Sequence, residues 1–193
     1  MNPSDISEAV SRLRQGQLVL FPAEEGWVVG CDASQAPAVE RLLTLKKTDE
    51  PGAVTVLIGE IGQLQQYVRK VPEIAWDLVE FAEKPLTVTY ADGQHVPPGV
   101  LSPEGRIAIR LVKAAAGFST LAWPLVKRFG RGVATVRTAP PAPTLVVNPG
   151  ETGAQLNKTA DYALALGQLF PGQPMLATLV RLELNGQITF LRK

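Results

Sequence analysis

Two adjacent carboxylates, Glu24 and Glu25, sit between the apolar runs Leu18-Val19-Leu20-Phe21 and Trp27-Val28-Val29-Gly30-Cys31. Apolar runs, Pro22, an acid pair and Gly26 describe a short acidic loop on two strand-length segments. Ligand-contacting groups tend to be placed in such loops, and an ordinary turn has the same pattern. Opposite charge is concentrated elsewhere. From Gly105 to Gly150 the ionisable residues are Arg106, Arg110, Lys113, Lys127, Arg128, Arg131 and Arg137, with no Asp or Glu, a net +7. The remainder holds 12 basic and 18 acidic groups, a net −6. The formal charge of +1 therefore hides a polarised chain, and an anionic partner is the expectation. Lys127 and Arg128 also suit a helix C-terminus, where cations gain about 0.3–1 kcal/mol from the dipole. Arg110 ends the apolar run Ile107-Ala108-Ile109, so its charge needs either a bound anion or a structural carboxylate.

Other chemistries lack the residues they require. Cys31 and His95 are the single cysteine and histidine, too few for a Cys/His zinc site or an internal disulfide. Cys31 reads as a small core residue in a reducing compartment. The chain has no G-x-x-x-x-G-K-[ST] phosphate loop and no G-x-G-x-x-G fingerprint, so neither a P-loop kinase nor a Rossmann dehydrogenase is expected. Asp5 and Glu8 stand where a signal peptide needs basic and apolar residues, and no apolar run approaches the ~18 residues of a membrane span. A cytoplasmic protein with no membrane partner is expected.

The elements that must position these groups follow from periodicity. At 193 residues the chain suits one domain, residues 1–193. Ile6, Val10 and Leu13, preceded by Asp5 and stopped by Gly16, predict a first helix. Strands are expected at Leu18 to Phe21, Trp27 to Cys31, Val54 to Ile58, Leu86 to Tyr90, Arg106 to Leu111 and Val133 to Val136. Helices are expected from Ala38 through Leu45 to an end at Lys46-Lys47, at Ile61 to Val68, at Ile74 to Phe81 and, despite Pro124, at Phe118 to Phe129. Thr138 to Thr144 reads as a proline-rich loop and Leu156 to Phe170 as a long amphipathic helix. Ala177 to Leu184 and Gln187 to Arg192 form a hairpin around a two-residue Asn185-Gly186 turn. Alternating strands and helices with a closing hairpin give an α/β fold with a mixed sheet. Trp76 and Trp123 fall in helical apolar patterns and read as core.

Taken in order, Pro22-Ala23-Glu24-Glu25-Gly26-Trp27-Val28-Val29-Gly30-Cys31-Asp32-Ala33, Leu45-Lys46-Lys47-Thr48, Lys84-Pro85-Leu86-Thr87, Ile107-Ala108-Ile109-Arg110 and Ala177-Thr178-Leu179-Val180 resemble the YrdC-like family over almost the whole chain. The resemblance implies a single-domain, twisted mixed α/β sheet with flanking helices around a large basic cavity. It implies synthesis of threonylcarbamoyl-AMP from ATP, threonine and bicarbonate, in service of a tRNA modification, or binding of double-stranded RNA. Carried over residue by residue, it assigns Glu24, Trp27, Lys46, Thr87, Arg110, Thr135, Arg137, Thr178 and Arg192 to substrate or nucleotide binding. Lys46 and Arg110 would neutralise phosphate, Trp27 would wall the amino-acid pocket, and Thr87, Thr178 and Arg192 would line the cavity. No tightly bound cofactor or metal is implied; ATP with Mg is a candidate substrate, and tRNA or double-stranded RNA a candidate partner.

The chain departs from the family's pattern at defined places. Ala23 and Glu25 replace threonines of the loop motif, Val28 replaces a glycine, Thr48 replaces the arginine of K-x-R, and Ala134-Thr135-Val136-Arg137-Thr138 lacks the serine and asparagine of S-x-N. A Glu25 carboxylate about 4 Å from a phosphate would cost about 4 kcal/mol at an effective dielectric near 20, roughly a thousandfold in affinity. Losing the arginine removes a bidentate phosphate clamp as well. Three readings stay open: a divergent synthase, a non-catalytic RNA- or nucleotide-binding protein, and a site for another small carboxylate or nucleotide whose amine pairs with Glu25. Where Glu25 points discriminates among them, and the oligomeric state is left open.

Overall fold

The computed structural model describes residues 3–114, 119–137, 160–164 and 175–193. Helix α1, Pro3–Arg14, turns Ala9 and Leu13 fully inward and ends at Gly16. Strands β1, Val19–Ala23, and β2, Gly26–Asp32, are buried at every position, as the unbroken apolar runs require. They form an antiparallel hairpin whose turn is Glu24-Glu25. Gly26, at φ +106, supplies the backbone conformation that reverses the chain so tightly. Helix α2, Ala36–Leu43, is followed by strand β3, Thr55–Ile58. A short 3-10 turn leads into α3, Leu64–Tyr67, and then α4, Ile74–Glu80. Strands β4, Leu86–Tyr90, and β5, Ile107–Leu111, precede α5, Ser119–Phe129, and β6, Val133–Arg137. Strands β7, Tyr162–Ala163, β8, Thr178–Leu182, and β9, Ile188–Arg192, complete the described elements.

The nine strands among the described residues join one mixed sheet in the order β7-β1-β2-β6-β3-β5-β4-β8-β9. Pairs β1–β7, β3–β5 and β4–β8 are parallel and the rest antiparallel. Strand alternation sends Trp27, Val29 and Cys31 into a core with α2, α3 and α4, and Val28, Leu57 and Val133 into a second core with α1 and α5. Helix α5 runs through Pro124 because Ala122, Leu125, Val126 and Phe129 are buried, and that burial outweighs one lost backbone hydrogen bond. Cys31 is buried, and burial raises its thiol pKa to about 12, as befits a core residue. No helix among the described residues is long and apolar enough to cross a membrane.

Two local expectations are corrected. Residues 160–164, placed in a helix by their apolar spacing, are extended and include β7. Asp161 fixes them by accepting the Leu18 N–H at 2.8 Å and pairing with Arg41 at 2.8 Å, while Leu164 N–H donates to the Leu20 carbonyl. The rest of that expected helix, and the loop at 138–144, lie outside the described residues. The closing hairpin does not turn on two residues. Glu183 and Gln187 close it, Gly186 donates to the Glu183 carbonyl, and Gly186 is left-handed at φ +86, giving a three-residue loop.

Gly59, just past β3, marks a close approach to helix α5: a Cβ there would stand 2.8 Å from Lys127 Cα and 2.9 Å from its backbone nitrogen. Backbone cannot yield as a side-chain tip can. Gly59→Ala is expected to destabilise by about 1–3 kcal/mol, read as a lower urea midpoint at unchanged slope.

Candidate functional site

The Glu24-Glu25 turn points into the protein, leaving the two residues 6% and 7% exposed. Arg110, on β5, is 3% exposed, and its Nη2 lies 3.0 Å from Glu25 Oε1 and its Nη1 3.5 Å from Glu24 Oε2. The structural carboxylate is thus the partner that a buried Arg110 needs. Glu25 collects more. Arg192 Nη2, at the end of β9, lies 3.0 Å from Oε1, the Ala177 N–H donates to Oε1 at 3.1 Å, and Arg137 Nε, at the end of β6, lies 4.0 Å from Oε2. Glu24 Oε2 makes no hydrogen bond; it feels the Arg110 charge without being aligned to it.

These contacts say something about the sheet. From β2 to β9 there are six strand spacings, about 29 Å if the sheet were flat. A Glu–Arg bond can close that distance only if the sheet's twist rolls its far edge over the first hairpin. The Met175 N–H, donating to the Glu24 carbonyl at 2.9 Å, crosses the same gap.

Burial pushes the Glu25 carboxyl up, but the Arg110 charge, the Ala177 N–H, the Arg110 hydrogen bond and the Arg137 charge together outweigh it and hold the pKa below its ordinary value. Burial lowers the Arg192 pKa, partly countered by Glu25 and reinforced by Arg137 and Arg110. The arms are also held independently of Glu25. Arg110 donates Nε and Nη2 to Thr87 Oγ1 at 2.9 and 2.8 Å; Arg192 donates Nε and Nη2 to the Ala177 carbonyl at 3.2 and 3.0 Å.

Glu25, Arg110, Thr135 and Arg137 line a recess of only about 10 Å³, at the lower limit for one water. Thr135 donates its hydroxyl to the Thr55 carbonyl at 2.8 Å. Gly52 and Ala53 line this recess and also a separate cavity of about 970 Å³, so the segment preceding β3 divides the two. The charged lining of the larger cavity is Lys46, Arg106 and Arg181 against Asp49, Glu50 and Glu104. Lys46 pairs with Asp49, Arg181 with Glu104 at 3.7 Å, and Arg106 with Glu183 at 3.1 Å. Among the described residues, the buried Nε atoms of Arg106 and Arg181 find no hydrogen-bond partner.

The expected residues therefore separate. Glu24, Thr87, Arg110, Thr135, Arg137 and Arg192 come together; Lys46 borders the other cavity. Trp27 lines neither, because strand alternation sends it into the α2-side core while its neighbour Val28 faces the recess. Thr178, at the start of β8 and paired with Leu86, lines neither. Among the described residues, Lys46 and Trp27 do not wall a common recess. Of the +7 segment, Arg110 and Arg137 join the Glu25 cluster and Arg106 lines the larger cavity, while Lys113 donates to the Glu80 and Ala82 carbonyls, Lys127 lies over Trp123 and near Glu60, and Arg131 pairs with Asp32. Sequence reasoning missed the Ala177 N–H, which no side-chain pattern announces, and Arg106 and Arg181 as cavity-lining cations; Arg181 within an apolar strand was a readable signal.

A rolled mixed sheet with an acidic hairpin turn locked into arginines is the frame on which the comparisons fall. The Sua5/YciO/YrdC family model, described as telomere recombination, matches residues 11–193, and the chain belongs to that family. Among curated relatives, the threonylcarbamoyl-AMP synthase of Halorhodospira halophila is 33% identical over 147 residues, 70% of this chain and 77% of that protein. Among solved structures, E. coli YciO superposes with a TM-score of 0.72 at 22% identity, covering 100% of this chain and 91% of that one. P. abyssi Sua5 complexed with L-threonine superposes at 0.70 and 22% identity, covering 92% of this chain and half, 50%, of that one. The mixed α/β architecture is shared with both.

Removing Arg110 leaves the buried Glu24 without its cation and takes one of three guanidiniums from Glu25. Arg110→Met is expected to destabilise by about 3–5 kcal/mol, whereas Lys46→Met, whose partner Asp49 is exposed, should leave the urea midpoint essentially unmoved.

Proposed function

We propose that the protein is a small-molecule enzyme of the threonylcarbamoyl-AMP synthase class, taking ATP, threonine and bicarbonate in the cytoplasm to supply tRNA modification. The observation that carries this reading is the cavity of about 970 Å³ beside the arginine cluster, with three cations and three carboxylates in its lining. That volume is at the upper end of the usual range for small-ligand sites. A lining balanced in charge suits a magnesium-bound nucleotide with a zwitterionic amino acid better than duplex RNA, which is held by net positive surface.

In this reading Lys46 at the cavity wall meets phosphate oxygens, and Arg106 and Arg181 in the same lining keep that wall positive. Asp49, Glu50 and Glu104 face the amino group or the metal carried by the nucleotide. Arg110, Arg137 and Arg192, with Thr87 and Thr135 fixing the surroundings, keep the adjoining wall positive. Glu24 balances part of the Arg110 charge. Trp27 and Thr178 contribute only by packing and strand pairing. Catalysis then consists of positioning and charge stabilisation as an oxygen of the threonine carbamate, formed from threonine and bicarbonate with loss of water, attacks the α-phosphorus of ATP, giving the mixed anhydride with AMP as the α–β phosphoanhydride bond breaks and pyrophosphate leaves.

Isothermal titration of ATP into the protein with threonine present is expected to give saturable heat, and incubation with bicarbonate should release pyrophosphate. Absence of heat from ATP, threonine and the pair together contradicts the reading. Retention of duplex RNA with a steep loss on adding salt would favour a nucleic-acid role instead.

A further inference from the structure

The Glu25 environment has the form of a ligand site. One carboxylate oxygen takes Arg110 Nη2 at 3.0 Å, Arg192 Nη2 at 3.0 Å and the Ala177 N–H at 3.1 Å; the other faces Arg137 Nε at 4.0 Å. Side-chain carboxylates that merely balance a buried arginine need one guanidinium. This one has three. The two larger arms, moreover, do not depend on it: Thr87 holds Arg110 and the Ala177 carbonyl holds Arg192. A set of donors oriented by other partners, converging on one oxygen in a buried place, is how proteins prepare an anion site. With Glu25 present only about 10 Å³ is left beside it.

We propose that Glu25 is a built-in ligand: Arg110, Arg192, Arg137 and the Ala177 N–H form a cradle for a small carboxylate, and the chain fills that cradle with its own side chain. A free carboxylate is shut out of the recess while Glu25 occupies it, and ligands of the intact protein engage the neighbouring larger cavity. Substitution of Glu25 by a residue without the acid opens the cradle to carboxylates of acetate size. The fragment deleted in Glu25→Ala is a methylene and a carboxylate, one hydrogen short of acetate itself. Nothing in this inference requires the larger cavity to take ATP, so the two can fail separately.

Chemical rescue tests it. Thermal unfolding of the wild type and of Glu25→Ala is followed in sodium acetate and in sodium chloride at equal ionic strength. The variant is expected to melt lower than the wild type in chloride and to regain about 4 °C or more, saturably, in acetate. The wild type is expected to melt at the same temperature in both salts. Glu25→Gln, whose amide still fills the space, should show no acetate-specific gain. Adding Arg192→Met to Glu25→Ala should abolish the rescue. Equal melting of Glu25→Ala in acetate and chloride, or an acetate gain in the wild type as large as in the variant, overturns the inference. If Glu25→Ala is unfolded in chloride, recovery of its circular dichroism signal in acetate is the expected result. If it stays unfolded in both salts, the readout passes to Glu25→Thr, which keeps a hydroxyl to accept one arginine bond, and lack of an acetate-specific gain there overturns the inference equally.

Discussion

The contact between Glu25 and the guanidiniums of Arg110 and Arg192 is the constraint around which the rest is arranged. It links the first hairpin of the sheet to its last strand, six strand spacings apart, and so requires the sheet to be rolled. A buried ion cluster of this kind is weak evidence for net stability, since desolvation consumes most of the Coulombic gain. Its effect is on geometry: alternative arrangements leave buried charges without partners. Thr87 and the Ala177 carbonyl supply further acceptors for the guanidiniums, as such burial demands.

The same cluster divides the concave side of the molecule into a filled part and an open part. On the filled side cations outnumber carboxylates and one of the carboxylates sits where the donors converge. On the open side, beyond Gly52 and Ala53, the charges balance and two arginine Nε atoms lack partners. A ligand approaching this face meets a pocket of mixed sign. The family relationship gives the architecture, while the chain's own substitutions, Glu25 above all, decide which part of the face stays accessible.

Much of the fold was legible because burial leaves a strong periodic trace. The unbroken apolar runs of β1 and β2, the spacing of Ile6, Val10 and Leu13, and the Ile107–Leu111 strand all appear where the pattern puts them. The segment around Asp161 was not legible: its extended shape comes from a carboxylate tied to Leu18 and Arg41, contacts more than a hundred residues away in the chain. For the site, the need of Arg110 for a partner could be read locally, but the identity of that partner could not, because the hairpin tip meets β5, β6 and β9 only once the sheet has rolled. The run of seven cations without an acid has a related origin: the acids that meet Arg106, Arg110, Lys127, Arg131 and Arg137 lie in other segments, so a charge count along the sequence shows the separation of charge but not the pairing.

Carbon-13 NMR of the Glu25 side-chain carboxyl, followed from about pH 7 down to about pH 3, tests the account most directly. Held by three guanidiniums and a backbone N–H, the folded-state carboxyl should remain ionised through the ordinary value of 4.5 and titrate only below it. Its contribution to stability is then complete above 4.5, where folded and unfolded chains are both ionised, and is lost as the pH falls through the folded-state value. A Glu25 resonance that titrates at or above 4.5 would contradict the account, because a carboxyl so placed is not seated among those arginines.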